Sequence, residues 1–387
     1  MKRKVMSIFG TRPEANKMCP LVRELESREE IESIVCVTAQ HREMLDQMLA
    51  AFDVHPDYDL NIMEKQQTLS TITAKAMTGL EGILREVKPD IVLVHGDTTT
   101  TFASALAAFY NHILIGHVEA GLRSFDLQSP YPEEANRRLV GVLADVHFSP
   151  TKNNAANLRR ENIGAPVFVT GNTAIDALKL TVRKDYRFES EALRTLRFDE
   201  KKVIAITAHR RENYGAPMES IMSALREIAL SHPEAQLVYP VHLSPYVQET
   251  AHRVLDGIEN VLLIDPIGVT DMHNLMARSS FVMTDSGGLQ EEAPALGKPV
   301  LVLRRETERP EAVEAGTVRV IGTERETIVS EAEILLSGGE RYHRMAHAVN
   351  PYGDGFACRR ITDDLLYYLG ERPTPAEDFS AGERDAQ

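Results

Sequence analysis

The sequence predicts an α/β protein built from two doubly wound parallel sheets. Short runs of β-branched residues alternate with longer helical patterns along almost the whole chain. This alternation is typical of βαβ units whose parallel sheet is covered on both faces. The runs form two series, which the charged stretch 183–202 separates, and a chain of 387 residues is long for a single core. We therefore expect two Rossmann-like domains that face each other across a cleft.

The predicted strands are short apolar runs bounded by small or polar residues. The first series comprises Val5–Phe9, Ser33–Thr38, Ile91–His95, Ile113–Val118, Val146–Phe148 and Val167–Thr170. The second series comprises Val203–Thr207, Gln236–Val241, Val261–Ile264, Phe281–Thr284, Val300–Leu303 and Val318–Val320. Helical patterns lie between the strands, for example Leu69–Glu86 and Met218–Ser231, the second with apolar residues at three-to-four spacing.

The change of series sets the expected domain boundaries. We expect an N-terminal domain over residues 1–170 and a second domain over residues 171–352, with the crossover near Gly171 and Asn172. Residues 353–371 are expected to form a helix that crosses back towards the first domain. Residues 372–387 are rich in Pro, Glu and Asp, so we expect a disordered tail there.

Composition excludes several classes of protein. The chain is 43% hydrophobic and 26% charged, as ordinary globular proteins are. No apolar run reaches membrane-spanning length, and the apolar part of the N-terminus is too short for a signal peptide. Three widely spaced cysteines favour a reducing compartment over a disulfide framework. A formal net charge of −14 disfavours nucleic acid as a partner, so an anionic ligand needs a local cluster of cations and amides.

An anion site is predicted where the strand Phe281–Thr284 meets the following helix. The turn consists of small residues, Ser286, Gly287 and Gly288. Unpaired N–H groups at a helix N-terminus carry partial positive charge, and Arg309 supplies a planar fork of donors after the next strand. Glu291 and Glu292 repel phosphate, which favours ribose hydroxyls as the partner of one of them. A capped helix of any α/β protein is the alternative interpretation.

Acidic residues follow the strands of the first series, where ligands of doubly wound sheets bind. The candidates for proton transfer are Asp97, Glu119 and Glu133. Asp97 could instead cap the next helix, and Glu133 and Glu134 could be first-turn acids favoured by the helix dipole. Glu119 is a poor cap. If the three candidates converge, one carboxyl group can donate a proton while another accepts one.

His209 is the candidate for contact with a phosphate or a leaving group, although an ordinary polar loop residue fits the same position. The other histidines considered are interpreted as structural or peripheral: His41, His95, His117 and His242. The sequence lacks the spacing of a zinc site, the dinucleotide pattern G-x-G-x-x-G and the pattern G-x-x-x-x-G-K-[ST]. We therefore expect no metal and no cofactor.

Ordered motifs extend from about Val5 to about Leu369. They include FGTRPEANKMCPL, LVHGDTTTT, GHVEAGLRS, SPYPEEANRRL, TAHRREN, TDSGGLQEEAPALGKPVLVLR and TERPEAVEAGT. Together they resemble the non-hydrolysing UDP-N-acetylglucosamine 2-epimerases. The resemblance implies a GT-B-like fold and a cytoplasmic homodimer with no membrane partner. It also implies interconversion of UDP-GlcNAc and UDP-ManNAc by elimination of UDP to a 2-acetamidoglucal intermediate and its re-addition, which supplies ManNAc units for cell-surface polysaccharide.

The resemblance also assigns roles to residues. Asp97, Glu119 and Glu133 match the family's catalytic acids, and His209 matches a histidine beside the diphosphate. The implied nucleotide-sugar contacts are Arg12, Lys17, Ser286, Gly287, Gly288, Glu292 and Arg309. Gln40 and His242 match residues linked to a second, activating UDP-GlcNAc, whereas Glu43 and Gln66 depart from that pattern, so activation stays an open hypothesis.

Three other functions remain to be distinguished. A GT-B glycosyltransferase would send the sugar to an acceptor, and a hydrolysing epimerase would release UDP and free ManNAc. A nucleotide-sugar sensor would bind without chemistry. The acids of the first series favour the epimerase over the transferase and the sensor, because neither needs several carboxylates for proton transfer.

Overall fold

The structure is a computed structural model that describes residues 2–39, 42–64 and 67–382. The chain divides into two compact units. Unit 1 consists of the chain up to Leu180 together with Tyr352–Ser380, and unit 2 contains Thr181–Pro351. Gln40 and Gln66 lie outside the described residues.

The described elements alternate between strand and helix. The strands are β1 (Arg3–Phe9), β2 (Ile31–Val37), β3 (Tyr58–Asp59), β4 (Ile91–His95), β5 (Leu114–Val118), β6 (Val146–Ser149), β7 (Val167–Val169), β8 (Lys202–Thr207), β9 (Ala235–Pro240), β10 (Val261–Ile264), β11 (Phe281–Thr284), β12 (Val300–Val302) and β13 (Val318–Val320). The helices are α1 (Arg12–Glu26), α2 (Arg42–Phe52), α3 (Leu69–Val87), α4 (Thr99–Tyr110), α5 (Glu133–Leu143), α6 (Lys152–Arg160), α7 (Thr173–Thr181), α8 (Glu191–Arg194), α9 (Ala216–Ser231), α10 (Pro245–Leu255), α11 (Val269–Arg278), α12 (Gly287–Ala295), α13 (Pro310–Glu314), α14 (Arg325–Leu336), α15 (Glu340–His347) and α16 (Ala357–Tyr368).

Unit 1 contains a 7-stranded parallel sheet in the order β3-β2-β1-β4-β5-β6-β7. The strand order reverses between β1 and β4, which makes this pair the switch point where doubly wound sheets bind ligands. The core is formed by the buried strands and by the inward faces of the flanking helices, such as Leu80 and Leu84 of α3. The motifs of the first series follow β1, β4 and β5, so the fold places them at this point.

Unit 2 contains a 6-stranded parallel sheet in the order β10-β9-β8-β11-β12-β13. Its switch point lies between β8 and β11. Apolar residues of α9 at three-to-four spacing, including Met218, Ile221 and Leu225, pack against the sheet. The two doubly wound sheets confirm the predicted fold class of Rossmann-like domains. Every predicted strand is present with small shifts in its bounds, and the two-residue edge strand β3 was not predicted.

The C-terminal helix α16 belongs to unit 1. Asp176 of α7 accepts hydrogen bonds from the backbone N–H groups of Ala357 (3.1 Å) and Cys358 (2.9 Å), which lie in the first turn of α16. Burial raises the pKa of Asp176 to about 6, and the backbone donors oppose that rise. The boundary between the units lies at the last residue of α7, between Leu180 and Thr181, later than the crossover expected near Gly171.

The segment after α16 differs from the expected disordered tail. Phe379 is 5% exposed and packs against Ala155 and Val169. Its N–H donates to Val169 O at 2.7 Å, and Asp378 accepts from Val169 N at 3.1 Å. One apolar side chain thus anchors a stretch whose Pro and acidic content predicts disorder. Residues 383–387 lie outside the described residues.

No helix among the described residues is both long and apolar enough to cross a membrane.

Three buried histidines lie on neighbouring strands of unit 1: His95 of β4, His117 of β5 and His147 of β6. Burial lowers their pKa values to about 4, 3 and 4 respectively. His147 is fully buried, and neither of its ring nitrogens has a hydrogen-bond partner among the described residues. Protonation of these side chains is therefore disfavoured in the folded state.

We expect His147→Leu to make unit 1 less sensitive to acid. Above pH 6.5 the ring is neutral in both states, whereas between about pH 6.5 and pH 4 the unfolded chain binds a proton that the folded chain does not. The free energy of unfolding of the wild type therefore decreases as the pH falls through that window. The variant lacks this contribution, so at pH 5 its decrease should be smaller by roughly 2 kcal/mol. Urea unfolding at pH 7 and pH 5 measures the difference. His55→Leu, at a side chain that is 89% exposed, is the control, and an equal pH dependence of His147→Leu and wild type would contradict the expectation.

Candidate active site

The loops at the switch point of unit 1 are held together by Glu14, which is 2% exposed. Its carboxylate accepts from the N–H groups of Gly10 (3.1 Å) and Thr11 (2.8 Å). It also accepts hydrogen bonds from the hydroxyl groups of Thr98 (2.9 Å) and Thr101 (3.2 Å), which lie at the N-terminus of α4. Burial raises the pKa of Glu14, and these donors oppose the rise. One buried carboxylate therefore fixes the loops after β1 and β4 against each other.

Asp97 follows β4 but does not cap α4. Thr98 is the capping residue, because its hydroxyl accepts from Thr101 N at 3.1 Å. The Asp97 carboxylate instead pairs with Arg137 of α5 through Nε at 2.8 Å and Nη2 at 2.7 Å. Asn136 also donates to Asp97 O at 2.9 Å. The capping interpretation is therefore wrong, and α5 orients Asp97.

Glu119 follows β5 with a backbone φ of +61°. A left-handed conformation is uncommon for a residue with a side chain, costs about 1–3 kcal/mol and is retained where the surroundings enforce it. The carboxylate pairs with Lys17 and accepts from Asn172 Nδ2 at 3.1 Å. His95 Nε2 lies 3.8 Å from Oε2. Glu119 is thus a largely buried carboxylate that several elements of unit 1 hold in one place.

The tandem acids at the start of α5 have different environments. Glu134 is fully buried and accepts from the N–H groups of Ser124 (3.0 Å) and Phe125 (3.2 Å) and from Arg137 Nη1 (3.2 Å). Glu133 is half-buried and makes no side-chain hydrogen bond within the described part of the chain. It lies one turn before Arg137 on the same helical face. Groups of unit 1 therefore satisfy the Glu134 carboxylate, and Glu133 stays the predicted catalytic acid of the pair.

The other predicted contacts of unit 1 lie on α1. Arg12 is its first residue and is half-buried, directly after the β1 loop. Lys17 lies five residues further along the helix and contacts the Glu119 carboxylate. A cation was predicted there for the substrate, and the structure pairs it with a candidate catalytic acid.

In unit 2 the predicted anion site lies at the N-terminus of α12. Ser286 is the residue before the helix, and its side chain makes no capping hydrogen bond. A side chain at Gly287 would lie 3.6 Å from Arg309 Nη2 and 3.7 Å from Arg210 Nη2. Two guanidinium groups therefore flank a helix N-terminus whose first N–H groups have no partner within the helix. Gly288 lies beside Glu292, since a Cβ there would be 4.0 Å from Glu292 Oε1.

The two glutamates of α12 have separate partners. Glu291 is 2% exposed and binds Arg309 Nε at 2.5 Å, so it holds that guanidinium in place. Glu292 is 8% exposed, and its Oε2 lies 3.5 Å from His273 Nε2. His273 in turn shares a hydrogen bond of 2.7 Å with Thr181. Glu291 thus orients the Arg309 guanidinium, a group suited to binding phosphate. Glu292 stays the predicted contact of the ribose hydroxyls.

His209 follows β8 beside this anion site. Its ring stacks on His242, with centroids 5.1 Å apart and planes 11° apart. Burial lowers the pKa of the His209 side chain. The nearby His242 and Arg210 lower it further, whereas the Asp285 carboxylate raises it. The predicted activator residue His242 is therefore a neighbour of the predicted diphosphate residue, while Gln40 lies outside the described residues.

The residues of these networks that were absent from the predicted site include Glu14, Arg137, Asn172 and Arg210. Glu14, Arg137 and Arg210 belong to motifs named above, and Asn172 was named only as the expected crossover between domains. The partners of Arg137 and Asn172 are 40 and 53 residues away in sequence. No group of three or more His, Cys, Asp or Glu side chains among the described residues is arranged to hold a metal ion.

Each unit carries a feature of a known class of protein. In unit 2 a helix N-terminus is flanked by arginines, as in proteins that bind phosphate groups. In unit 1 buried carboxylates lie at the switch point of a doubly wound sheet, where ligands of such sheets bind. Features of this kind are typical of enzymes that act on nucleotide-linked substrates.

Comparison with known proteins identifies the family. Residues 23–366 match the family model described as UDP-N-acetylglucosamine 2-epimerase. The chain is 55% identical to the UDP-N-acetylglucosamine 2-epimerase of Bacillus subtilis over 98% of this chain and 99% of the relative. It is 54% identical to that of Escherichia coli K12 over 94% of this chain and 98% of the relative. The chain belongs to the UDP-N-acetylglucosamine 2-epimerase family, of the bacterial non-hydrolysing type.

A solved structure supports the same conclusion. The UDP-GlcNAc 2-epimerase of Neisseria meningitidis, bound to UDP-GlcNAc, superimposes with a TM-score of 0.87 at 49% identity. The match covers 94% of this chain and 100% of that chain. The predicted family is confirmed, and the roles of individual site residues remain predictions.

Arg137→Met is expected to destabilise unit 1 by roughly 3 kcal/mol, because it leaves the buried Glu134 carboxylate and Asp97 without their cation. Urea unfolding at neutral pH measures the loss. The control is Arg138→Met, whose side chain is 45% exposed and whose loss should cost less than about 1 kcal/mol. Equal losses for the two variants would show that the Asp97–Arg137–Glu134 network does not hold this site.

Proposed function

We propose that this chain interconverts UDP-GlcNAc and UDP-ManNAc by reversible elimination and re-addition of UDP. The observation that carries the proposal is the anion site of unit 2, where Arg210 and Arg309 flank the N-terminus of α12. The relatives named for this activity match nearly the whole chain. A related structure contains UDP-GlcNAc itself.

Unit 2 supplies groups that suit a nucleoside diphosphate. The amides after Ser286 and the two guanidinium groups are placed in advance, so they can stabilise negative charge that grows on a departing diphosphate without a metal. One such donor is typically worth about 3–4 kcal/mol of barrier. The Glu292 carboxylate can accept hydrogen bonds from both ribose hydroxyls, which explains an acid beside a phosphate site.

The chemistry requires the anomeric bond to break first. The hydrogen on C2 of an N-acetylhexosamine is not acidic, so direct removal would be very slow. Departure of UDP gives C1 oxocarbenium character, which acidifies the neighbouring hydrogen. Loss of that proton leaves 2-acetamidoglucal, and UDP then re-adds with a proton delivered to the opposite face of C2. Two faces of one carbon must therefore each meet a group that exchanges a proton.

Unit 1 supplies candidates for those proton transfers. Asp97, Glu119 and Glu133 occur at the loops after β4 and β5 and at the start of α5. Asp97 and Glu119 are held by ion pairs with Arg137 and Lys17, which limits the movement of their carboxylates. We propose that these acids serve C2 and O3 of the substrate.

The remaining inferences from the family stay predictions. These are a homodimer, a cytoplasmic location, a supply of ManNAc for cell-surface polysaccharide, and activation by a second UDP-GlcNAc through Gln40 and His242. A hyperbolic rate curve from UDP-ManNAc that added UDP-GlcNAc does not change would remove the activation hypothesis.

Glu119→Gln should retain UDP binding and lose nearly all exchange of the C2 hydrogen, because an amide cannot take the proton. Proton NMR of UDP-GlcNAc in D2O measures deuterium at C2 and the appearance of UDP-ManNAc. The control is Glu81→Gln, at a side chain that is 50% exposed. Near-normal exchange in Glu119→Gln would remove Glu119 from the mechanism.

The same time course separates the alternatives. Wild-type protein should give deuterium at C2 and both UDP-sugars. Free ManNAc with UDP would indicate a hydrolysing epimerase, and unchanged substrate without an acceptor would indicate a transferase or a sensor. An ¹⁸O label in the bridge between sugar and diphosphate should scramble during turnover; retention of the label during epimerisation would refute prior cleavage of the anomeric bond.

Gly287→Ala should fold normally and bind UDP weakly. The added Cβ makes only ordinary contacts of 3.6 and 3.7 Å with the two arginines, and replacing a helical glycine by alanine favours folding by about 0.5–1 kcal/mol. The same methyl group occupies the space proposed for phosphate. Calorimetric titration with UDP and thermal unfolding test both parts. The control is Gly82→Ala in α3, where a Cβ meets nothing within 4 Å, and unchanged UDP affinity in Gly287→Ala would place the diphosphate elsewhere.

A further inference from the structure

Asp285 is a buried carboxylate that has no role in the predicted site or in the proposed mechanism. It follows β11 and is fully buried. Its Oδ2 accepts from the N–H groups of His209 and Arg210, both at 2.8 Å, and from Asn213 Nδ2 at 3.0 Å. These donors tie the loop after β8 to the start of α12, across the switch point of unit 2.

The second oxygen of Asp285 faces the imidazole of His209. Oδ1 makes no hydrogen bond among the described residues and lies 3.6 Å from His209 Nδ1. This distance is beyond a hydrogen bond but within ion-pair range, and such contacts often shorten when a ligand binds. A buried carboxylate oxygen without a donor is costly, so the tautomer with a proton on Nδ1 is favoured.

The other groups near His209 disfavour a positive charge on its ring, and Asp285 opposes their effect. His242 stacks on the ring and Arg210 is its neighbour in the chain. Both disfavour a positive charge on His209, as burial does, and Asp285 is the anion that favours it. His242 Nδ1 accepts from Ser244 N at 3.0 Å, so the proton of neutral His242 is on Nε2. The charge state of His209 therefore depends on Asp285.

We propose that Asp285 is a positioning residue that keeps the proton of His209 on Nδ1 and stabilises its imidazolium form. The Nε2 side of the ring then serves the ligand: it accepts a proton when the ring is neutral and donates one when the ring is charged. The ligand would be the diphosphate of the proposed function, because Arg210 beside His209 reaches the N-terminus of α12. The inference rests on the proposed function for the identity of that ligand only.

Nitrogen NMR of ¹⁵N-histidine protein tests the proton position without any activity. The signals of His209 are assigned by their loss in His209→Gln. We expect the Nδ1–H tautomer in wild type. In Asp285→Asn we expect a mixture of tautomers, and we expect the ring to be protonated only at a lower pH than in wild type, because the anion that favours the imidazolium is gone. A wild-type Nε2–H tautomer, or an unchanged tautomer and titration in Asp285→Asn, would overturn the proposal.

A control separates this role from support of the loop. Asn213→Ser removes a donor to Asp285 Oδ2 and a second hydrogen bond to Leu303 O, while it leaves the His209–Asp285 pair in place. It should lower stability and leave the His209 tautomer as in wild type. The same tautomer change in both variants would mean that loop disorder, not the carboxylate, sets the proton position.

Kinetics then tests the link to catalysis. Asp285→Asn should lower kcat by about tenfold to hundredfold, the range seen when the hydrogen-bond partner of a metal-binding histidine is removed. The change in KM should be smaller. In the His209→Gln background the same change should have little further effect, whereas independent roles would multiply the losses. Multiplied losses overturn the proposal. If the chain has no epimerase activity, the proposed function fails while the NMR result still decides the role of Asp285.

Discussion

Buried carboxylates that accept backbone N–H groups are the interaction on which both candidate sites depend. Glu14 joins the loops after β1 and β4 in unit 1, and Asp285 joins the loop after β8 to α12 in unit 2. Asp271 collects the N–H groups of Glu189 and Ser190 in the same way. A buried carboxylate is costly unless several donors satisfy it, so each such group fixes its loop in one conformation. Groups of the protein itself therefore hold the loops that carry the candidate site residues.

Much of the fold could be predicted because its signals are local. The spacing of apolar residues and the length of each apolar segment distinguish short buried strands from the helices between them. The alternation of strands with helices then implies parallel sheets. The strand β3 was missed because two residues at a sheet edge carry no periodic pattern. The anchoring of the residues after α16 was missed because it depends on one aromatic side chain, Phe379, that packs against Ala155 and Val169.

The candidate site was predictable to the level of motifs, not of contacts. The small-residue turn before α12 and the acids after β4 and β5 can be recognised from residue type and position. Pairing could not be recognised, since Asp97 and Arg137 are 40 residues apart and Glu119 and Asn172 are 53 apart. Which of two adjacent glutamates is buried depends on the rotation of α5 about its axis, which the sequence leaves open. The residue roles themselves stay predictions.

The return of the chain to unit 1 has a consequence for its synthesis. Residues 181–351 are contiguous, so this part can form as soon as it leaves the ribosome. The remainder waits for α16, whose N-terminal amides are the partners of the Asp176 carboxylate. Until those amides arrive, the Asp176 carboxylate lacks these two donors. The part of the molecule that is made first is therefore completed last, and a nascent chain halted near Pro351 would lack the residues that complete unit 1.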